Sequence, residues 1–92
     1  MSYKDKQEKI DELFTTLMKI ESLEDYRIFM NDLCTPGEVE AMANRWQVAK
    51  LLSQGITYRE ISMMTKVSMA TVTRVARFLS CEGSGYKKYL KK

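Results

Sequence analysis

The segment Thr35–Gln54 sets the strongest limit on what this chain can fold into. Its start is marked by Thr35-Pro36-Gly37-Glu38, in which Thr35 accepts from the unpaired first-turn amides, Pro36 fits the first helical position and Glu38 can reach back as a capping box. Gly55 supplies the left-handed residue that commonly closes a helix. Between these signals Val39, Met42, Trp46, Val48, Leu51 and Leu52, with Ala41, Ala43 and Ala49, leave almost no continuous polar face. A helix apolar on nearly every side must be covered on most sides, so residues 35–55 predict a central helix. The whole chain has only 92 residues, enough for one domain over 1–92 and too few for two independent cores. A chain of this size buries a smaller share of its surface than a larger domain and often gains stability from a second subunit; a homodimer is the expectation.

The flanking segments are helical by the same reasoning. From Lys4 to Glu21, Ile10, Leu13, Phe14, Leu17 and Met18 recur at steps of three and four residues, the stripe of an amphipathic helix. Ser22 is placed to cap a second helix that ends near Cys34, with Tyr26, Phe29, Met30 and Leu33 facing inward. Residues 1–34 are thus expected to form two N-terminal packing helices. After a Cys81–Gly85 break, residues 84–92 predict a short C-terminal helix in which Tyr86, Tyr89 and Leu90 pack back on the core.

Residues 57–80 carry the functional signal. Thr57 and Glu60 form a second capping box that opens a helix of roughly Tyr58–Thr65, and Ser68 caps another from Met69 to about Ser80. Only Lys66-Val67-Ser68 joins them, so the two helices must cross at a large angle, with Ile61, Val67, Val72, Val75 and Leu79 in the angle between them. This is a helix-turn-helix, the arrangement that lays a second helix in the DNA major groove. Small or polar residues at Ala70, Thr71 and Thr73, flanked by Arg59, Arg74 and Arg77, suit that use. Charge agrees. Residues 1–55 hold seven basic and ten acidic side chains, a balance of −3, whereas residues 56–92 hold eight basic and two acidic, a balance of +6. A C-terminal half so biased predicts contact with a polyanion. An αα-hairpin that docks a protein partner is the rival reading.

Enzymes are disfavoured. The chain has no histidine, which removes catalytic triads, Cys-His pairs and HExxH metal sites. Cys34 and Cys81 form neither a redox pair nor a zinc set and are expected to be buried, reduced thiols in a cytoplasmic protein. No catalytic residue, metal or cofactor is expected. The longest uncharged stretch, Leu51–Tyr58, is far short of the ~18 residues a membrane span needs.

The runs Cys34–Met42, Asn44-Arg45, Thr57–Ile61 and Ala70–Arg74 together resemble the bacterial Trp repressor superfamily, most closely its YerC/YecD-type branch. The resemblance implies an all-α fold of about six helices, an intertwined homodimer with residues 1–34 as its N-terminal dimerisation helices, and a sequence-specific transcriptional regulator whose two helix-turn-helix units read a roughly palindromic site in double-stranded DNA. By the same resemblance Arg59 matches a guanine-reading arginine, and Met69, Ala70 and Thr73 match base-facing positions. Lys66, Arg77, Lys87 and Lys88 have no matched role and are placed near phosphates by charge alone. In tryptophan-binding members the corepressor lies between two arginines and near a threonine, matched here by Arg45, Arg74 and Thr35. A glycine that admits the indole is Val75 here, and a serine that binds the ligand's amino group is Phe78. These departures predict DNA binding independent of tryptophan, with Arg45 and Arg74 freed for phosphate contacts or scaffolding. A repressor controlled by tryptophan or another small molecule is the second rival reading.

Overall fold

The computed structural model describes residues 5–90, and among them every regular element is a helix: α1 (Lys6–Leu17), α2 (Leu23–Leu33), α3 (Pro36–Ser53), α4 (Tyr58–Thr65), α5 (Met69–Ser80) and α6 (Gly85–Leu90). The all-α, six-helix expectation is met. The predicted helix start at Lys4 and the last residues of the 84–92 helix, Lys91 and Lys92, lie outside the described residues. None of the helices is long and apolar enough to cross a membrane. The chain divides after Thr35 into two compact units.

In the first unit the Asp5 carboxylate accepts the Glu8 amide at 2.8 Å and starts α1. The helix ends at Leu17, four residues short of the predicted Glu21. Two local causes stop it. Thr15 and Thr16 turn their hydroxyls onto the Asp11 and Glu12 carbonyls, a back-bonding that weakens helices, and Ser22 must be extended to cap α2. The chain therefore tightens through Lys19 N–H to Thr16 O and Ile20 N–H to Leu17 O before leaving the helix. Ser22 Oγ accepts the Asp25 amide as predicted. The inward stripe is only partly realised: Phe29 and Met30 are half-buried, while Tyr26 and Leu33 are exposed. Two helices enclose too little volume to cover a whole stripe, and neither α1 nor α2 has a fully buried residue.

The second unit holds the core. Val48 and Ala49 of α3, Ile61 of α4, and Val72 and Val75 of α5 are fully buried, with Leu51, Leu52, Ile56, Val67, Tyr86 and Leu90 packed around them. The predicted cover of α3 is therefore realised only toward its C-terminal end, from Val48 onward; Met42 and, in mid-helix, Trp46 stand exposed. Gly55, at φ +84°, closes α3 with a paired cap in which the Gly55 and Ile56 amides donate to the Leu52 and Leu51 carbonyls.

A candidate nucleic-acid interface on α4 and α5

The surface that could meet a nucleic acid is shaped by three consecutive local signals. Thr57 Oγ1 accepts the Glu60 amide at 3.2 Å and sets the first residue of α4. Lys66 then adopts φ 61°, ψ 25°, the left-handed conformation usually left to glycine, and its amide donates to Ser62 O at 2.9 Å. Ser62 Oγ reaches across the turn to Val67 O at 2.6 Å. Finally Ser68 Oγ accepts the Thr71 amide at 3.1 Å and launches α5. The crossing angle is held from inside by Ile61, Val72 and Val75, with Val67 packed against them and Leu79 half-buried.

With Val72 and Val75 directed inward, the opposite side of α5 presents Met69, Ala70, Thr73, Arg74 and Arg77, all exposed. Arg59, on the first turn of α4, and Lys66, in the turn, are exposed as well. Among the described residues no ion pair engages Arg59, Lys66 or Arg77. Thr71 departs from its predicted place: it is half-buried, and its hydroxyl lies 3.1 Å from Ser68 Oγ, so it belongs to the cap of α5.

Four of the five pocket positions named from sequence come together. Arg45, Arg74, Val75 and Phe78 line an open cleft of about 740 Å³; Thr35 ends the other unit and is not among its lining residues. Val75 is a core residue at 1% exposure that shows the cleft only an edge. Phe78 is 47% exposed, and the Arg74 guanidinium sits over its ring, 5.1 Å from the centroid. The far side of the cleft is built by Cys81–Tyr86 and Tyr89, residues whose sequence predicts only a break and a terminal helix. Their one advance signal was Gly83, which takes φ +78° and turns the chain back. Tyr86 then stacks on Trp46, centroids 6.3 Å apart, fixing α6 against α3. Tyr89 does not pack on the core as predicted. It is 58% exposed, with Lys88 Nζ 5.7 Å from its ring centroid.

The thiols also differ from expectation. Both are free, but Cys34 is half-buried and Cys81 is exposed, because Cys81 follows the last turn of α5, where its Sγ donates to Arg77 O. Among the described residues no group of three or more acidic or cysteine side chains is arranged to hold a metal ion.

Comparison with known proteins follows the same outline. The family model for the Trp repressor protein matches residues 8–92. The uncharacterized protein YerC of Bacillus subtilis (strain 168) is 37% identical over 79 residues, 86% of this chain and 76% of that protein. The Trp operon repressor homolog of Chlamydia caviae is 35% identical over 74 residues, 79% of this chain and 73% of that protein. The crystal structure of a TrpR like protein from Eubacterium eligens ATCC 27750 superposes with a TM-score of 0.87 at 31% identity, covering 94% of this chain and 89% of that one.

Proposed function

Because the chain belongs to the Trp repressor family, whose members are DNA-binding transcriptional regulators and not enzymes, we propose that it binds a two-fold operator in double-stranded DNA as a homodimer and does so without tryptophan. The observation that carries this reading is the exposed face of α5 with Arg59 beside it, cationic side chains in no ion pair among the described residues, on helices whose other faces form the core. Each subunit lays α5 in a major groove, and the two-fold axis sets the half-sites about one turn of DNA apart. Arg59 offers a planar fork that fits the O6 and N7 acceptors of guanine; the apolar ends of Met69 and Ala70 suit a thymine methyl, and the Thr73 hydroxyl suits a base edge or a bridging water. Lys66, Lys87 and Lys88 supply charge to phosphates without reading sequence. Dimerisation is supported by the apolar surface one chain leaves uncovered: Phe14 is 57% exposed and Leu23 66%.

Independence from tryptophan is supported by the cleft. An indole between Arg45 and Arg74 has to contend with the Val75 side chain and displace the Arg74–Phe78 stack. No serine hydroxyl is offered at position 78 for the ligand's ammonium. The test is selection of DNA from a random pool by purified protein in tryptophan-free buffer, followed by calorimetry with L-tryptophan. Enrichment of a palindromic motif and no heat supports the reading. A motif that enriches only with tryptophan overturns the ligand-free part, and no motif in either buffer, with salt-insensitive capture of a protein partner, favours the interaction-module alternative.

A further inference from the structure

α5 carries two arginines three residues apart, and the structure treats them differently. Ala70, Thr73 and Arg77 follow one another at steps of three and four residues, which keeps them on one stripe of the helix. All three are exposed, and Arg77 is in no ion pair among the described residues. Arg74 shares this outward side, one turn beyond Ala70 and about 60° around the helix from Arg77, but its guanidinium lies over the ring of Phe78, one turn further on, at the rim of the cleft. We infer that Phe78 divides the work of the two arginines: its ring holds Arg74 toward the cleft, and Arg77 is left as the phosphate-contacting arginine of α5. This inference rests on the DNA-binding reading above and deepens it.

The position of Arg77 along the axis specifies a phosphate rather than a base. Seven residues separate it from Ala70, about 10.5 Å at 1.5 Å per residue. When the first turn of a recognition helix touches base edges, a side chain that far along lies near the lip of a groove about 12 Å wide, where the sugar-phosphate strand runs. A phosphate needs positive charge without fork geometry, so lysine can substitute there, whereas a bidentate base contact would not tolerate the change.

The experiment measures affinity for the selected operator and for scrambled DNA between 50 and 200 mM salt, using full-length wild type, Arg77→Ala, Arg77→Lys, Arg74→Ala and the double variant Arg77→Ala/Phe78→Leu, each checked for an unchanged melting curve. Each lost phosphate contact removes about 0.9 from the log–log salt slope. Two copies per dimer remove about 1.8, so the gap between wild type and Arg77→Ala closes about twelvefold over that fourfold salt range. The inference expects this loss for Arg77→Ala on both DNAs, a wild-type slope for Arg74→Ala and for Arg77→Lys, and partial recovery of slope in the double variant as Arg74 is released. A wild-type slope in Arg77→Ala, or the same loss in Arg74→Ala, overturns the division. Sequence-selective loss in Arg77→Lys overturns the phosphate assignment, and a double variant no steeper than Arg77→Ala removes Phe78 from its positioning role. Wild-type protein that binds neither DNA fails the functional reading itself, a result distinct from all of these.

Discussion

Lys66 is the one position where the turn that builds the reading surface conflicts with its own side chain, and replacing it with glycine should stabilise the protein while weakening its hold on DNA. At φ 61° its Cβ crowds the backbone, a cost of about 1–2 kcal/mol for an L-residue. Glycine removes that cost but gives back about 0.5–1 kcal/mol through the greater freedom of its unfolded chain. The side chain itself is exposed and contributes no hydrogen bond or ion pair among the described residues, and the backbone bond to Ser62 O survives the change. The net gain is about 0.5–1 kcal/mol, which for a domain this small corresponds to about 2–8 °C in Tm. Thermal denaturation at one fixed protein concentration is the assay, since the Tm of the proposed dimer would depend on concentration. Lys66→Ala is the control: it keeps a Cβ in the left-handed region and should melt with the wild type. If Lys66 acts on DNA by charge alone, the Gly and Ala variants should lose the same affinity. A Gly variant that melts at or below the wild type, or an Ala variant that gains as much as Gly, refutes the strain argument.

Three further outcomes are expected. Ile61, fully buried between α4 and its neighbours, should cost about 2–5 kcal/mol when truncated to Ala; a denaturant titration that shifts by less than 1 kcal/mol would place the core elsewhere. Light scattering and far-UV dichroism followed together through dilution should lose dimer and helix in step, and a folded monomer at nanomolar concentration would count against a shared core. Arg59→Ala should cost about 1–3 kcal/mol on the preferred operator and relax the choice at one base pair; unchanged selectivity would move the guanine contact to another residue.

What could be read from sequence was what is decided within a few residues. Ser22, Thr57 and Ser68, each read as a helix cap, accept the amides of Asp25, Glu60 and Thr71 three residues on, because an N-cap involves only one turn of chain. Gly55 closed α3 for an equally local reason. Errors arose where burial depends on what lies opposite. Apolar periodicity says that one face of α3 and α2 wants cover, but it does not say that one chain lacks the volume to supply it, so Met42, Trp46 and Leu33 stand exposed. The cleft was half legible: Arg45, Arg74, Val75 and Phe78 were named, while the opposite wall from Cys81 to Tyr86 depends on the turn at Gly83 and the stacking of Tyr86 on Trp46, a contact between residues forty positions apart.

The interleaving along α5 has a consequence for how this surface can change. Val72 and Val75 point into the core while Ala70, Thr73 and Arg77 alternate with them in sequence and face outward, so the core and the proposed recognition surface share the same twelve-residue helix but lie on opposite sides. Exposed positions away from caps and special conformations usually shift stability by less than about 0.5 kcal/mol, which leaves the outward stripe free to vary with the DNA it meets. Two places escape this separation. Ser68 and Thr71 fix the start of α5, the end that the proposed reading sets against the bases, so altering either would change the helix and that reach together. Lys66 carries charge at a strained turn, where the residue best for folding, glycine, would give up the charge that the proposed phosphate contact uses.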